Sequence, residues 1–146
     1  MRKTAPLLAL VGILLSGHPL TAVAKETYKV IVNAANPESA VKREQLSGLF
    51  LKNTIKWSNG TPVSPVDQSV TSPVRIAFSK DVFGQPVAAI QSYWQKQSAA
   101  GQEGPPAVRA SDREVLAYVL ANVGAVGYVS PDILLSKGVK VLKVTE

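Results

Sequence analysis

Short β-branched runs alternate with segments of helical period along this chain. That alternation constrains the fold more than any other feature. "YKVIV" (Tyr28–Val32) is a nearly continuous apolar run closed by Asn and Pro, the pattern of a buried strand. "SAVKREQLSGLFL" follows with Val41, Leu46, Leu49 and Phe50 at helical spacing and Ser39 as a candidate N-cap. Asn59-Gly60, Pro62 and Pro65 punctuate a short strand expected near Val63–Val66. A helix is expected from about Pro73 to Phe83, its face formed by Val74, Ala77, Phe78 and Val82, with Gly84 as its stop. Pro86 begins a second helix with Val87, Ile90, Tyr93 and Trp94 on its stripe. "GQEGPP" is a loop and "AVRA" a brief strand. "SDREVLAYVLAN" opens on a capping box, Ser111 with Glu114, and carries Val115, Leu116, Val119 and Leu120. "GAVGYVS" is a strand between glycines, "PDILLSKG" a helical turn, and "VKVLKV" a last strand. Strands alternating with helices, without repeats or a splitting linker, predict one α/β domain with a small mixed sheet flanked by helices.

The N-terminus reads as an export signal over residues 1–24. Arg2 and Lys3 precede the apolar stretch "PLLALVGILL", and Ala22 and Ala24 stand at small-residue cleavage positions. The domain then runs over residues 25–146, in the periplasm or outside the cell. No second stretch approaches the roughly 18 apolar residues of a membrane helix, so no span is expected after signal removal. The sole His (His18) and the sole Met (Met1) lie in the leader, and the chain has no Cys. From Lys25 onward, His- and Cys-dependent nucleophilic catalysis is therefore excluded, as are the common zinc, copper and haem sites. No disulfide forms, and a hydrophobic content of 46% must supply the core. No catalytic residue, metal site or cofactor is expected. Losing Arg2 and Lys3 lowers the net charge from +6 to +4, without a basic block. That leaves a mild preference for anions and, with export, no nucleic-acid partner.

"DQSVTSPVRIAF" (Asp67–Phe78) joins small polar residues to a helix start, with Ser72 at N-cap and Pro73 at N1. Such a start suits a capped helix and also suits an anion held by free N–H groups. Asp67 and Asp112 are the acids nearest the two helix starts, and neither belongs to a catalytic pair.

Taken in order, "VIVNAANP", "REQLSGLFLKNTIKWSNGTPVSPVD", "SPVRIAF", "GAVGYVS" and "GVKVLKV" resemble the phosphate-binding proteins of ABC phosphate importers, which belong to the type II periplasmic binding proteins. The resemblance covers nearly all of residues 28–144. It implies the second lobe of a two-lobed receptor, inserted between two halves of the first, with nothing here resembling that first lobe. It implies that the strand at Tyr28 and the segment after Val139 lie close together, both joining one hinge. It also implies a phosphate site where a Ser-Gly-Thr helix start stands in the family, preceded by an Arg. Here Ser72, Pro73 and Val74 occupy the helix start, and Gln68 falls near the Arg position. Pro73 removes an N–H donor, Val74 a hydroxyl, and Gln68 lacks the charged fork of Arg. Ser69 and Thr71 offer replacement hydroxyls, and Arg75 lies one turn in. The implied ligand residues are Ser72, Arg75, Thr71, Gln68 and Ser69, for phosphate or a similar small anion held weakly. The alternative is a non-enzymatic envelope interaction module that has lost solute binding and docks onto another envelope protein or onto itself.

Overall fold

A computed structural model describes residues 25–146 together with Gly17 and Pro19. The export-signal reading therefore rests on residues outside those described. The sheet has five strands: β1 (Lys29–Asn33), β3 (Ser64–Gln68), β4 (Ala107–Arg109), β5 (Ala125–Val129) and β6 (Val139–Val141), in the order β4-β3-β5-β1-β6. β3 runs parallel to β4 and β5, whereas β1 runs antiparallel to β5 and β6. A second, two-stranded sheet pairs β2 (Ala40–Lys42) in parallel with β7 (Lys143–Thr145). The fold is thus α/β with a small mixed sheet, as the alternation of periods requires.

Strand periodicity divides the core into two layers. Val30 and Val32 of β1 and Val126 and Tyr128 of β5 face one side. There they meet Leu46, Leu49 and Phe50 of α1 (Arg43–Phe50) and Phe78 of α2 (Pro73–Phe78). Ile31, Ala125 and Val129 face the other side, against Val115, Leu116 and Val119 of α4 (Asp112–Ala121). Helix α3 (Val87–Ala99) contributes Ile90 and Trp94 as its buried residues. Phe78 stacks on Tyr128 with ring centroids 3.9 Å apart and planes 9° from parallel.

β1 and β6 are direct neighbours, and the Leu142 N–H donates to the Val30 carbonyl at 2.9 Å. The first strand and the segment after Val139 therefore lie side by side, as the resemblance requires.

Five local expectations are corrected. The segment opening at Ser39 begins as β2, because Val41 pairs with Val144, and the helix starts at Arg43. The helix over residues 73–83 is α2 followed by a π-helical turn, Ser79–Phe83, ending at Gly84 with φ 63°. The wider turn brings Phe83 edge-on to Phe78, with centroids 5.6 Å apart. "PDILLSKG" is not helical: Ile133 and Leu135 pack on the α4 core layer while Leu134 is exposed, an alternation of period two. "VKVLKV" is two strands, since the buried Leu142 marks where the chain leaves β1 to pair with β2. Leu120, placed on the α4 apolar face by spacing, is 48% exposed.

Candidate functional site

The candidate site lies at the C-terminal end of β3, where Asp67 and Gln68 are followed by the turn into α2. Ser72 caps α2, its hydroxyl accepting from the Arg75 N–H at 3.4 Å, and Pro73 stands at N1. The cap is the one the sequence predicts. The surrounding side chains, however, are turned toward one another.

Gln68 is buried, and both hydrogens of its amide are used. Its Nε2 donates to Asp112 Oδ1 at 2.7 Å and to the Tyr128 carbonyl at 3.0 Å. Its Oε1 accepts the Ser72 hydroxyl at 3.0 Å, which commits the single hydroxyl hydrogen of Ser72. Arg75 is buried as well and points inward. Its Nη1 donates to the Gln68 carbonyl at 2.7 Å, and its Nη2 lies 3.6 Å from Asp67 Oδ2. Tyr128 completes the cluster: its hydroxyl donates to Asp67 Oδ1 at 2.6 Å and accepts the Gln68 N–H at 3.2 Å. Asp112, in the first turn of α4, also accepts the Ser130 N–H at 3.1 Å, so one carboxylate ties β3, β5 and α4 together.

Electrostatics follow from this enclosure. Burial pushes the Asp67 carboxyl above its ordinary range, and the Arg75 guanidinium and Tyr128 hydroxyl pull it partly back. Burial, then the charge of Asp67, drives the Tyr128 hydroxyl well above its usual value, so it stays a donor. The cluster is arranged to satisfy a buried ion pair, the condition under which such a pair is tolerated.

Of the five residues nominated for an anion, Ser72, Gln68 and Arg75 are thus brought together and bonded within the chain. Thr71 is exposed and Ser69 half-buried, their hydroxyls 3.4 Å apart at the rim. The Ser69 N–H is used by the Arg109 carbonyl at 3.2 Å. Tyr128 is the member sequence reasoning missed. A Tyr inside a fully buried strand needs a partner for its hydroxyl, and that requirement was the available signal. Among the described residues no group of three His, Cys, Asp or Glu is placed to hold a metal ion, and no helix is long and apolar enough to cross a membrane.

The backbone carrying this cluster matches solved proteins. It superposes on a putative phosphate ABC transporter substrate-binding protein with bound phosphate from Clostridium perfringens, with TM-score 0.64 and 18% identity, over 81% of this chain and 44% of that one. An ABC-type phosphate transport receptor from Vibrio cholerae gives TM-score 0.61 and 21% identity, over 81% and 46%. A possible phosphate binding protein from Planctomyces limnophilus gives TM-score 0.60 and 16% identity, over 82% and 42%.

The fold is that of phosphate-receptor structures.

The chain spans less than half the length of these receptors, and at these identities the likeness is one of fold. No family model matches the sequence, and no curated protein matches it.

Proposed function

We propose that this chain is an exported, non-enzymatic envelope protein on a phosphate-receptor fold, acting by docking onto a protein partner rather than by capturing phosphate alone. The observation carrying this reading is the bonding of Gln68. Its whole amide is committed within the chain, together with the Ser72 hydroxyl and the Arg75 guanidinium. An anion entering here would have to displace Asp67 from Arg75 and break the cap bridge. Micromolar binding requires about 8 kcal/mol, whereas one free helix start supplies about 0.3–1 kcal/mol. Val70 and Ile76 flank the cluster at 42% and 53% exposure, which supplies apolar surface for a partner beside it. The leader-like residues 1–24 support export, and the absence of His and Cys from Lys25 on supports a non-enzymatic role.

Site-specific photocrosslinking from positions 70 and 76 in intact envelopes tests the reading. The expected result is one dominant crosslinked protein, which includes a second copy of the chain as an outcome. A monomer that crosslinks to nothing, or micromolar phosphate binding by calorimetry, overturns it.

A second reading, weak binding of phosphate or another small anion, is favoured by the rim hydroxyls of Ser69 and Thr71 and by the bound phosphate of the Clostridium perfringens structure. Millimolar phosphate would then shift the amide resonances of residues 69–75, and a Ser72→Ala and Arg75→Ala pair would abolish the shift.

A further inference from the structure

At the same end of the sheet as the Ser72 cluster, where β1 begins and β6 ends, lies a separate half-open groove of about 820 Å³. It forms where the chain leaves β6 for β7 and so diverges from the start of β1. Residues 25–30 make one wall and residues 141–144 the other. Ala77 of α2 and Lys80 and Asp81 of the π-helical turn close the end.

The groove has an apolar floor and a cationic rim. Ala77, Val141 and Val144 present apolar surface to the floor, over the buried Val30 and Leu142. Lys25, Lys29, Arg43, Lys80 and Lys143 also line it, outnumbering the acids Glu26 and Asp81 and the adjacent Glu146. Two of those cations are already engaged. Arg43 bridges Asp81 and Glu146, and Asp81 also accepts the Tyr28 hydroxyl. Lys29 donates to the Ile133 carbonyl at 2.5 Å. Lys25, Lys80 and Lys143 are exposed and make no ion pair among the described residues.

We infer that this groove binds a small organic anion with an apolar body, its headgroup among Lys25, Lys80 and Lys143 and its body along Val141 and Val144. The volume is of the size that encloses small organic ligands, about 300–1,000 Å³, and such sites pair an apolar lining with a few charged groups. An inorganic anion would leave the floor wet, and a neutral amphiphile would leave the lysines without a counter-charge. A cleft rimmed by one sign of charge also concentrates the opposite sign at its mouth. The inference is independent of the Ser72 cluster, which shares no residue with the groove.

Dodecyl phosphate below its micelle threshold, titrated calorimetrically into the chain starting at Lys25, tests it. That chain carries every described strand, helix and core residue. The expected result is saturable binding at one site, weaker with butyl phosphate. A Lys80→Glu/Lys143→Glu double variant should bind roughly tenfold or more weakly while melting as the parent does, since both side chains are exposed. Absence of saturation, equal affinity for neutral dodecyl maltoside, or an unaffected double variant overturns the inference. Competition by inorganic phosphate at equal concentration overturns the apolar half of it.

Discussion

The Tyr128 hydroxyl donates to Asp67 Oδ1 across 2.6 Å, with both side chains buried. The same oxygen accepts the Gln68 N–H, so one hydroxyl serves two buried groups. Tyr128→Phe keeps the stacking on Phe78 and deletes only this oxygen. It is expected to lower stability by about 1–3 kcal/mol, the cost of leaving buried polar groups unpaired. Urea unfolding measures it, and a loss near zero would show that the hydroxyl contributes nothing to the cluster.

Arg75→Met should cost about 3–5 kcal/mol near neutral pH, because Asp67 is left as a buried charge without its partner. The sign of the pH dependence follows from burial. Asp67 already titrates above its ordinary value in the fold, so the folded state holds the proton more tightly than the unfolded chain. Its contribution is therefore most favourable at low pH and is lost as pH rises through the folded pKa. Removing Arg75 raises that pKa further. The deficit of the variant relative to the parent should shrink as pH falls through that raised pKa toward the ordinary carboxylate range, because the buried carboxyl is then protonated and neutral. A deficit that grows on acidification would contradict this.

Ser72→Ala removes both the α2 cap and the bond to Gln68 Oε1. The expected loss is about 1–2 kcal/mol, read by thermal melting. Under the docking reading, millimolar phosphate changes the melting temperature of parent and variant equally. A phosphate stabilisation present in the parent and absent in the variant would favour the anion reading instead.

Two glycines in the β5 region are fixed by space. A Cβ at Gly127 would lie 2.8 Å from Cγ1 of both Val115 and Val66. One at Gly124 would lie 1.9 Å from the Pro62 carbonyl oxygen. Gly127→Ala presses on side chains with some freedom to move and should cost about 1–3 kcal/mol. Gly124→Ala presses on backbone and should cost more. It should also disturb the 2.9 Å bond from Trp57 Nε1 to the Gly124 carbonyl. Equal costs in chemical denaturation would refute the distinction between side-chain and backbone contacts.

Element type was legible wherever a local rule applied. The Ser72 and Ser111 caps, the Gly84 stop and the period of Val115, Leu116 and Val119 all act within a few residues, and the structure has each of them. The first strand and its proximity to the segment after Val139 were also legible, the latter through the family resemblance. Partner-dependent features were not. Ser39 looks like a cap until Val41 finds Val144, and "VKVLKV" looks like one strand until Leu142 divides it between two neighbours. Leu120 keeps the helical period but falls at an edge of α4 that the sheet does not cover.

The candidate site divides in the same way. Sequence alone determined that Ser72 starts a helix, that Pro73 removes a donor there, and that no imidazole or thiolate is available from Lys25 on. Tertiary structure decided where Arg75 points. A guanidinium one turn into a helix can face solvent, an anion or the core, and its own neighbours in sequence do not distinguish these. Burial of Asp67 at the end of β3 does, because a carboxylate removed from water requires a counter-charge, and Arg75 is the cation within reach.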